Sequence, residues 1–498
     1  MTDRSSLNQA EGPTHEWAAL DRDLNRISRV EDATFYIARP MVGFGLAIVF
    51  VALAALWAAI IVGGAPGGVM IIVASVFAAY LALNIGANDV ANNMGPAVGA
   101  NALSMTGALV IAAVCETAGA LIAGADVVGT IANGIVAPSS FANSDIFVIA
   151  MISALLSSAV WINLATFLGA PVSTTHAIVG GVVGAGIAAA GFGAVDWGGI
   201  GRIAASWVVS PVLGGVMAAA SLALVHRLVI DRADKIAAAR VWVPVLIGIM
   251  AWAFGAYLAV KGLKQIVHVS MAGALLIGAA LGVISYLASR PYIARKSIGL
   301  ENRNKSLKVL FQLPLVVSAA LMSFAHGAND VSNAIGPLAA IVQTLGLNGA
   351  DVGSIPLWVM VIGALGISLG LLLFGPKLIS MVGDQITKLN AMRAYCVALS
   401  AAVTVIAASW LGLPVSSTHI AIGGIFGVGF YREWGEARRM SRGLETEAAP
   451  AIANEERRRR RLVRRSHFLT IVAAWIITVP ATALLSALGF LALRLLMG

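Results

Sequence analysis

Apolar runs long enough to cross a lipid bilayer recur along this chain, and no other feature constrains its fold as strongly. Met41–Gly63, Met105–Gly124, Asp145–Gly169, Val241–Val260, Met271–Ala288 and Leu357–Gly375 are examples. Each is about 20 residues long, the length a helix needs to span about 30 Å of hydrocarbon. Within a bilayer the backbone must satisfy its own hydrogen bonds, which leaves only helices or a closed barrel. The runs lack the alternation of barrel strands. Composition agrees, with 59% hydrophobic and 11% charged residues, where a soluble chain carries about 25% charged. The expected fold class is an all-α polytopic membrane protein.

Charge then assigns sides. The net charge is +9, yet no Lys or Arg lies between Arg39 and Arg202. The basic residues collect in Met1–Pro40, Arg227–Arg240, Arg290–Lys308, Lys377–Arg393 and Tyr431–Arg465, the pattern of cytoplasmic loops under the positive-inside rule. Nucleic acid is therefore not an expected partner. The N-terminus is expected in the cytoplasm of a multi-pass protein in the cell's inner (plasma) membrane. Met1–Pro40 is a polar tail of mixed charge, and Met41–Gly63 is too long for a signal-peptide core, so it reads as a retained helix. Cys115 and Cys396, 281 positions apart without a spacing motif, read as small buried residues rather than a disulfide or metal cluster.

The chain also repeats itself. "GANDVANNMGP" (Gly86–Pro96) and "GANDVSNAIGP" (Gly327–Pro337) share eight of eleven residues, 241 positions apart. "GAPVSTTHAIVGGVVGAG" (Gly169–Gly186) and "GLPVSSTHIAIGGIFGVG" (Gly412–Gly429) share ten of eighteen. Spacing agrees too, with 85 positions from Asn88 to Ser173 and 87 from Asn329 to Ser416. A weaker echo links Ala204–Pro211 to Ala473–Pro480. The expected organisation is a cytoplasmic tail (1–40), an additional transmembrane helix (41–63), a first repeat (68–228) and a linker of two helices and a basic loop (229–308). The second repeat follows as 309–430, an Arg-rich cytoplasmic loop (431–467) and a last transmembrane helix (468–498). Placing every basic segment inside makes the first repeat run from outside to inside and the second from inside to outside. The expectation is two inverted-topology repeats with broken helices meeting at a central site. The loop around "EERRRRRLVRR" reads as solvated, partly helical or disordered, with attraction to anionic lipid as the sharper alternative.

The duplicated motifs carry the chemistry. An ionised carboxylate at membrane depth is costly unless paired, and here one recurs in matching contexts. Asn88, Asp89 and Asn92, with Asn329, Asp330 and Asn333, supply a carboxylate and amide oxygens to each half, a set that suits a small hard cation. The Gly and Pro around them are expected to break the helix and free backbone carbonyls. An extramembrane turn capped by the Asx side chains is the plainer account of a single copy. The second pair is built as helix starts, a proline followed by Ser/Thr N-caps and a Gly-rich apolar run. Such starts bind anions through free N–H groups and the helix dipole. Hydroxyls of Ser173, Thr174, Thr175, Ser416, Ser417 and Thr418 add donors. Ordinary capping at a loop is the alternative. Glu116 lies midway along an apolar run without an adjacent cation. It is assigned, with His176 and His419, a proton-handling or structural role. Gly180, Gly181, Gly184, Gly423, Gly424 and Gly427 are expected to permit close helix packing. His326 precedes the second Asn-Asp motif, but position 85 is Ile, so it stands outside the expected core site.

GANDVAN and GANDVSN, each followed by P-V-S-[ST]-T-H, resemble the inorganic phosphate transporter (Pit) family over residues 68–498. The resemblance implies a symporter, not an enzyme, that imports inorganic phosphate by alternating access with sodium or protons. It implies phosphate at Ser173, Thr174, Thr175, Ser416, Ser417 and Thr418. It further implies cation ligands at Asn88, Asp89, Asn92, Asn329, Asp330 and Asn333. Sodium is the preferred ion because amides coordinate it, and no cofactor beyond the coupling ion is expected. The family also contains sulfate permeases, so another oxyanion is the alternative substrate, with an anion channel or intramembrane enzyme more distant. The helix at Met41–Gly63 and its tail look additional to the family's core. The lipid bilayer is the other expected partner, and a homo-oligomer is compatible with the architecture without being required by it.

Overall fold

The computed structural model describes residues 41–168, 172–262, 269–346, 355–385, 390–441 and 465–497. The N-terminal tail, most of the Arg-rich loop, Gly169–Pro171 and Gly498 lie outside the described residues. One unit extends to Val49 and another runs from Phe50 onward. In chain order the long helices are α1 (Met41–Val62), α2 (Gly68–Gly99), α3 (Met105–Ala123), α4 (Ala125–Asn133), α5 (Ser144–Phe167), α6 (Thr174–Ala190) and α7 (Trp197–Val225). Then follow α8 (Lys235–Lys261), α9 (Met271–Lys296), the short α10 (Leu307–Leu310), α11 (Gln312–Thr344), α12 (Leu357–Gln385), α13 (Ala391–Trp410), α14 (Ser417–Ser441) and α15 (Arg465–Met497). Among the described residues, 11 helical segments are long and apolar enough to cross a membrane. The one β feature among them is an isolated bridge between Val136 and Val195. This is an all-helical, multi-pass membrane protein.

Local chemistry sets where several helices begin. Ser104, Asn143, Asp196, Asp234, Ser270 and Asn390 each accept a bond from the backbone N–H three residues on, satisfying a donor the helix cannot. Ser173 and Ser416 do the same for His176 and His419, at 3.2 and 3.3 Å. The expected helix starts at both P-V-S motifs are therefore present.

The expected break at the Asn-Asp motifs is not. α2 and α11 run unbroken through Gly86–Pro96 and Gly327–Pro337. Tertiary burial overrides the weak helix propensity of Gly, Asn and Asp, because an unmade backbone bond at this depth costs more than a poor helix former. The breaking signal survives as one defect per copy. Pro96 and Pro337 have no N–H to offer the carbonyls four residues back, those of Asn92 and Asn333. The loop expected from Tyr431 also begins later, since α14 continues to Ser441 through Glu-, Ala- and Arg-rich sequence of high helix propensity.

The interruptions lie instead at the second pair of motifs, where α5–α6 and α13–α14 fold back as antiparallel hairpins. Ser158 donates to the Ala177 carbonyl at 3.1 Å, and Gly181 packs on Ala154 as Gly424 packs on Val397. Matching contacts join the halves. Gly119 leaves no room for a Cβ beside the Phe324 carbonyl, and Gly370 leaves none beside that of Leu83. Gly327 abuts the Glu116 carbonyl as Gly86 abuts that of Ile367. Gly180 and Gly184 seat α6 against Val479 and Ala483 of α15, while Gly423 and Gly427 seat α14 against Pro211 and Gly215 of α7. The glycines thus do the close packing expected of them. Large apolar side chains such as Val208, Val212 and Val216 of α7 remain exposed, as a lipid-facing helix surface requires.

Candidate functional site

The polar residues of α2 and α11 meet the starts of α6 and α14 in the buried centre of the second unit. Asp89 and Asp330 are each 1% exposed. Thr174 donates to Asp89 Oδ2 at 3.0 Å, and its counterpart Ser417 donates to Asp330 Oδ2 at 3.1 Å. Asn92 reaches across to Thr418 of the other half at 2.8 Å, and Asn333 reaches to Thr175 at 3.1 Å and Thr174 at 3.4 Å. Asn88 Nδ2 donates to Thr166 at 2.9 Å, as Asn329 donates to Ser409 at 3.0 Å. The two residue sets that the sequence separates, hydroxyls for an anion and Asn-Asp pairs for a cation, are interleaved through direct hydrogen bonds.

Not all of these side chains have equal freedom. Asn329 uses both ends of its amide on the second hairpin tip, donating to the Leu413 carbonyl at 3.1 Å and accepting from Val415 N at 3.2 Å. The same tip receives bonds from Thr130 to the Gly412 carbonyl, Trp207 to that of Pro414 and Thr175 to that of Val415. Ser173 and Ser416 are capping acceptors, so each hydroxyl hydrogen stays available to another acceptor. His176 and His419 pack edge to face with ring centroids 4.6 Å apart, and His176 also lies 3.9 Å from Trp207. They form the aromatic contact behind the two helix starts.

His326, set aside because the first copy has Ile85, lies at the middle of the cluster. Its Nε2 is 2.9 Å from Asp330 Oδ2 and 3.7 Å from Asp89 Oδ2, while its Nδ1 is 3.2 Å from Glu116 Oε2. Asn93 holds the other Glu116 oxygen at 2.8 Å. A usable signal existed in the sequence. His326 and Asp330 are four apart, one above the other on a helix, and an ionisable residue inside a spanning helix is by default a functional candidate. Thr166 and Ser409 were also missed, although extending the repeat upstream of the P-V-S motifs would align them. Asp89, His326 and Asp330 each offer one atom within 4.8 Å of the others. Three carboxyl groups therefore share a buried site with one imidazole, an oxygen-rich centre of the kind a hard cation takes.

Comparison with known proteins gives a consistent result. The phosphate transporter family matches residues 85–486. A Helicobacter pylori protein named as a phosphate permease is 43% identical, covering 95% of this chain and 98% of its own length. One of the same name from Haemophilus influenzae is 34% identical over 86% of this chain and 97% of its own. A solved structure, described as the sodium-dependent phosphate transporter, superposes with a TM-score of 0.75 at 34% identity, over 86% of this chain and 99% of its own. Taken with the duplicated motifs and their shared buried centre, these matches establish that the chain belongs to the phosphate transporter family, a family of membrane permeases rather than enzymes.

Proposed function

We propose that this protein imports inorganic phosphate by symport with sodium, alternating access around the centre formed by α2, α11 and the starts of α6 and α14. Phosphate binds at the starts of α6 and α14, through Ser173, Thr174, Thr175, Ser416, Ser417, Thr418 and first-turn N–H groups. Sodium binds at Asp89 and Asp330 with oxygens of Asn88, Asn92, Asn329 and Asn333. The observation that carries this reading is the direct bonding of the two sets, Thr174 to Asp89 and Ser417 to Asp330. A hydroxyl has one hydrogen. A cation that neutralises the carboxylate lets that hydrogen turn to phosphate, so binding of one ion favours binding of the other. Likeness to a protein described as sodium-dependent supports the choice of ion. Matched contacts in the two halves, such as Gly119 with Phe324 and Gly370 with Leu83, support a two-fold relation. The charge distribution supports inverted topology, with the basic segments in the cytoplasm.

The test is uptake of labelled phosphate into proteoliposomes, with sodium and proton gradients imposed separately and sulfate as competitor. Uptake driven by sodium alone and resistant to sulfate is the expected result. Uptake driven only by protons replaces the ion, and equal competition by sulfate broadens the substrate to oxyanions. Accumulation that follows the phosphate gradient alone, without a counter-ion, overturns symport in favour of a channel.

A further inference from the structure

The two halves do not treat their carboxylates alike. Asp89 receives Thr174 at 3.0 Å from its own half and, from the opposite half, Thr418 at 3.2 Å. Asn92 adds a longer bond at 3.4 Å. By the repeat, Asp330 should receive Ser417 from its own half and Thr175 from the opposite one. Ser417 is in place at 3.1 Å, but Thr175 donates to the Val415 carbonyl at 3.0 Å, and Asn333 donates to Thr175 rather than to Asp330. Asp330 Oδ1 has no hydrogen-bond partner among the described residues. His326 Nε2 lies 2.9 Å from the other oxygen, Oδ2, the one that Ser417 also bonds.

His326 has no equivalent in the first half, and neither does its support. Gly327 meets Glu116 where Gly86 meets Ile367, so the pair His326 and Glu116 corresponds to Ile85 and Ile367. Both isoleucines are buried in an apolar cluster. One polar pair has therefore replaced one apolar pair at a two-fold position. Its atoms link the halves, because Asp89, Asn93 and Glu116 come from the first and His326 and Asp330 from the second. His326, Glu116 and both aspartates are at most 1% exposed, where a charge without a partner is strongly unfavourable.

We propose that His326, paired at Nδ1 with a Glu116 carboxyl that Asn93 holds by its other oxygen, is a positioning residue for cation coupling. Its Nε2 lies between the two aspartates, 2.9 Å from Asp330 Oδ2 and 3.7 Å from Asp89 Oδ2, and pairs electrostatically with both, so that the two cation-binding carboxylates act as one unit. The inference rests on the sodium-symport reading above. It assigns the two nitrogens different tasks, and the two side-chain amides separate them. In His326→Gln the amide nitrogen takes the place of Nε2, and in His326→Asn it takes the place of Nδ1.

The experiment measures phosphate uptake in proteoliposomes against sodium concentration for the wild type, His326→Gln, His326→Asn and His326→Ala. Each protein is first checked for an unchanged gel-filtration profile and melting temperature. Wild-type uptake should rise with sodium at a Hill slope above one. His326→Gln should keep that slope and shift half-saturating sodium by less than about threefold. In His326→Asn and His326→Ala the slope should fall to one and half-saturating sodium should rise about ten- to a hundredfold, the loss expected for one contact to a charged group. Their maximal rate at saturating sodium should stay within about threefold of wild type. Gln and Asn variants that behave alike, or a maximal rate that collapses without a sodium shift, overturn the positioning role. If the variants cannot be purified folded, Glu116→Gln, which removes the charge paired with Nδ1, must show the same sodium shift in milder form or the proposal fails. Wild-type uptake indifferent to sodium overturns the symport reading itself and takes this inference with it.

Discussion

The two halves of this protein repeat the same motifs and the same packing, yet their centres differ. Gly119 against Phe324 and Gly370 against Leu83, or Asn88 with Thr166 and Asn329 with Ser409, show equivalent parts in equivalent places. At the charge cluster the equivalence stops, with Ile85 and Ile367 in one crossing and His326 and Glu116 in the other. The second hairpin tip is pinned by Asn329, Thr130, Trp207 and Thr175. The difference teaches that duplication supplied a shared scaffold, on which a few side chains made two like carboxylates chemically unlike. A fully symmetric site would offer its two cations equal intrinsic affinities, whereas an uneven one can order them.

The sharpest way to break this comparison is at the carboxylates. Asp89→Asn and Asp330→Asn should each abolish sodium-driven phosphate uptake in proteoliposomes, by more than about a hundredfold, while the proteins remain folded in detergent. A two-decade loss is about 2.7 kcal/mol, within the range for losing contacts to a charged ligand. If either variant transports at wild-type rate, one half carries the coupling alone.

Next in size are the helix starts. Ser173→Ala and Ser416→Ala should each raise the phosphate concentration for half-maximal uptake by about one to two decades, from a lost donor worth roughly 1.5–3 kcal/mol. Loss of each N-cap should also lower stability by about 1 kcal/mol, read as a drop in melting temperature. A crippled Ser416→Ala beside a normal Ser173→Ala would restrict the anion to one hairpin.

The scaffold offers a test that ought to come out even. Gly119→Ala and Gly370→Ala each force a methyl group against a backbone carbonyl, Phe324 in one case and Leu83 in the other. Overpacking of this kind costs about 1–3 kcal/mol, so both should lose thermal stability to a similar degree. Very unequal losses would mean that the two crossings are not equivalent.

The smallest effect sharpens the asymmetry most. Thr418 bonds Asp89 whereas Thr175 bonds the Val415 carbonyl. Thr418→Val should therefore raise half-saturating sodium more than Thr175→Val does, by a factor of about five to ten for one hydrogen bond of roughly 1 kcal/mol. Equal shifts would place Thr175 on Asp330 during transport and restore the two-fold picture.

Much of this was legible before any coordinate. A membrane chain has few polar residues in its spans, so those present stand out against an apolar background. Asp89, Asp330, Glu116 and the Ser/Thr runs were found that way, and Ser173 and Ser416 cap helices because capping is local chemistry. The continuity of α2 and α11 was misread. Gly, Asn and Pro signal a break in water, but at membrane depth burial and hydrogen bonds from the opposing hairpins stabilise the helix through them. His326 was excluded by a rule of symmetry, the one rule a functional asymmetry must violate.

The amino-acid sequence by itself determined the class of the molecule, its duplication, its helix starts and the chemical types gathered for its site. The duplication is read by comparing distant segments, and the rest depends on residue identity and on neighbours a few positions away, within reach of one helical turn. Only the tertiary structure decided the partners. Asn92 meets Thr418 across 326 positions and Asn333 meets Thr175 across 158, and His326 meets Glu116 from another helix. Which donor serves which carboxylate is set by how the starts of α6 and α14 meet the unbroken α2 and α11. Hydrogen bonds discriminate over tenths of an ångström, a scale at which two repeats of like motif can diverge in their partners.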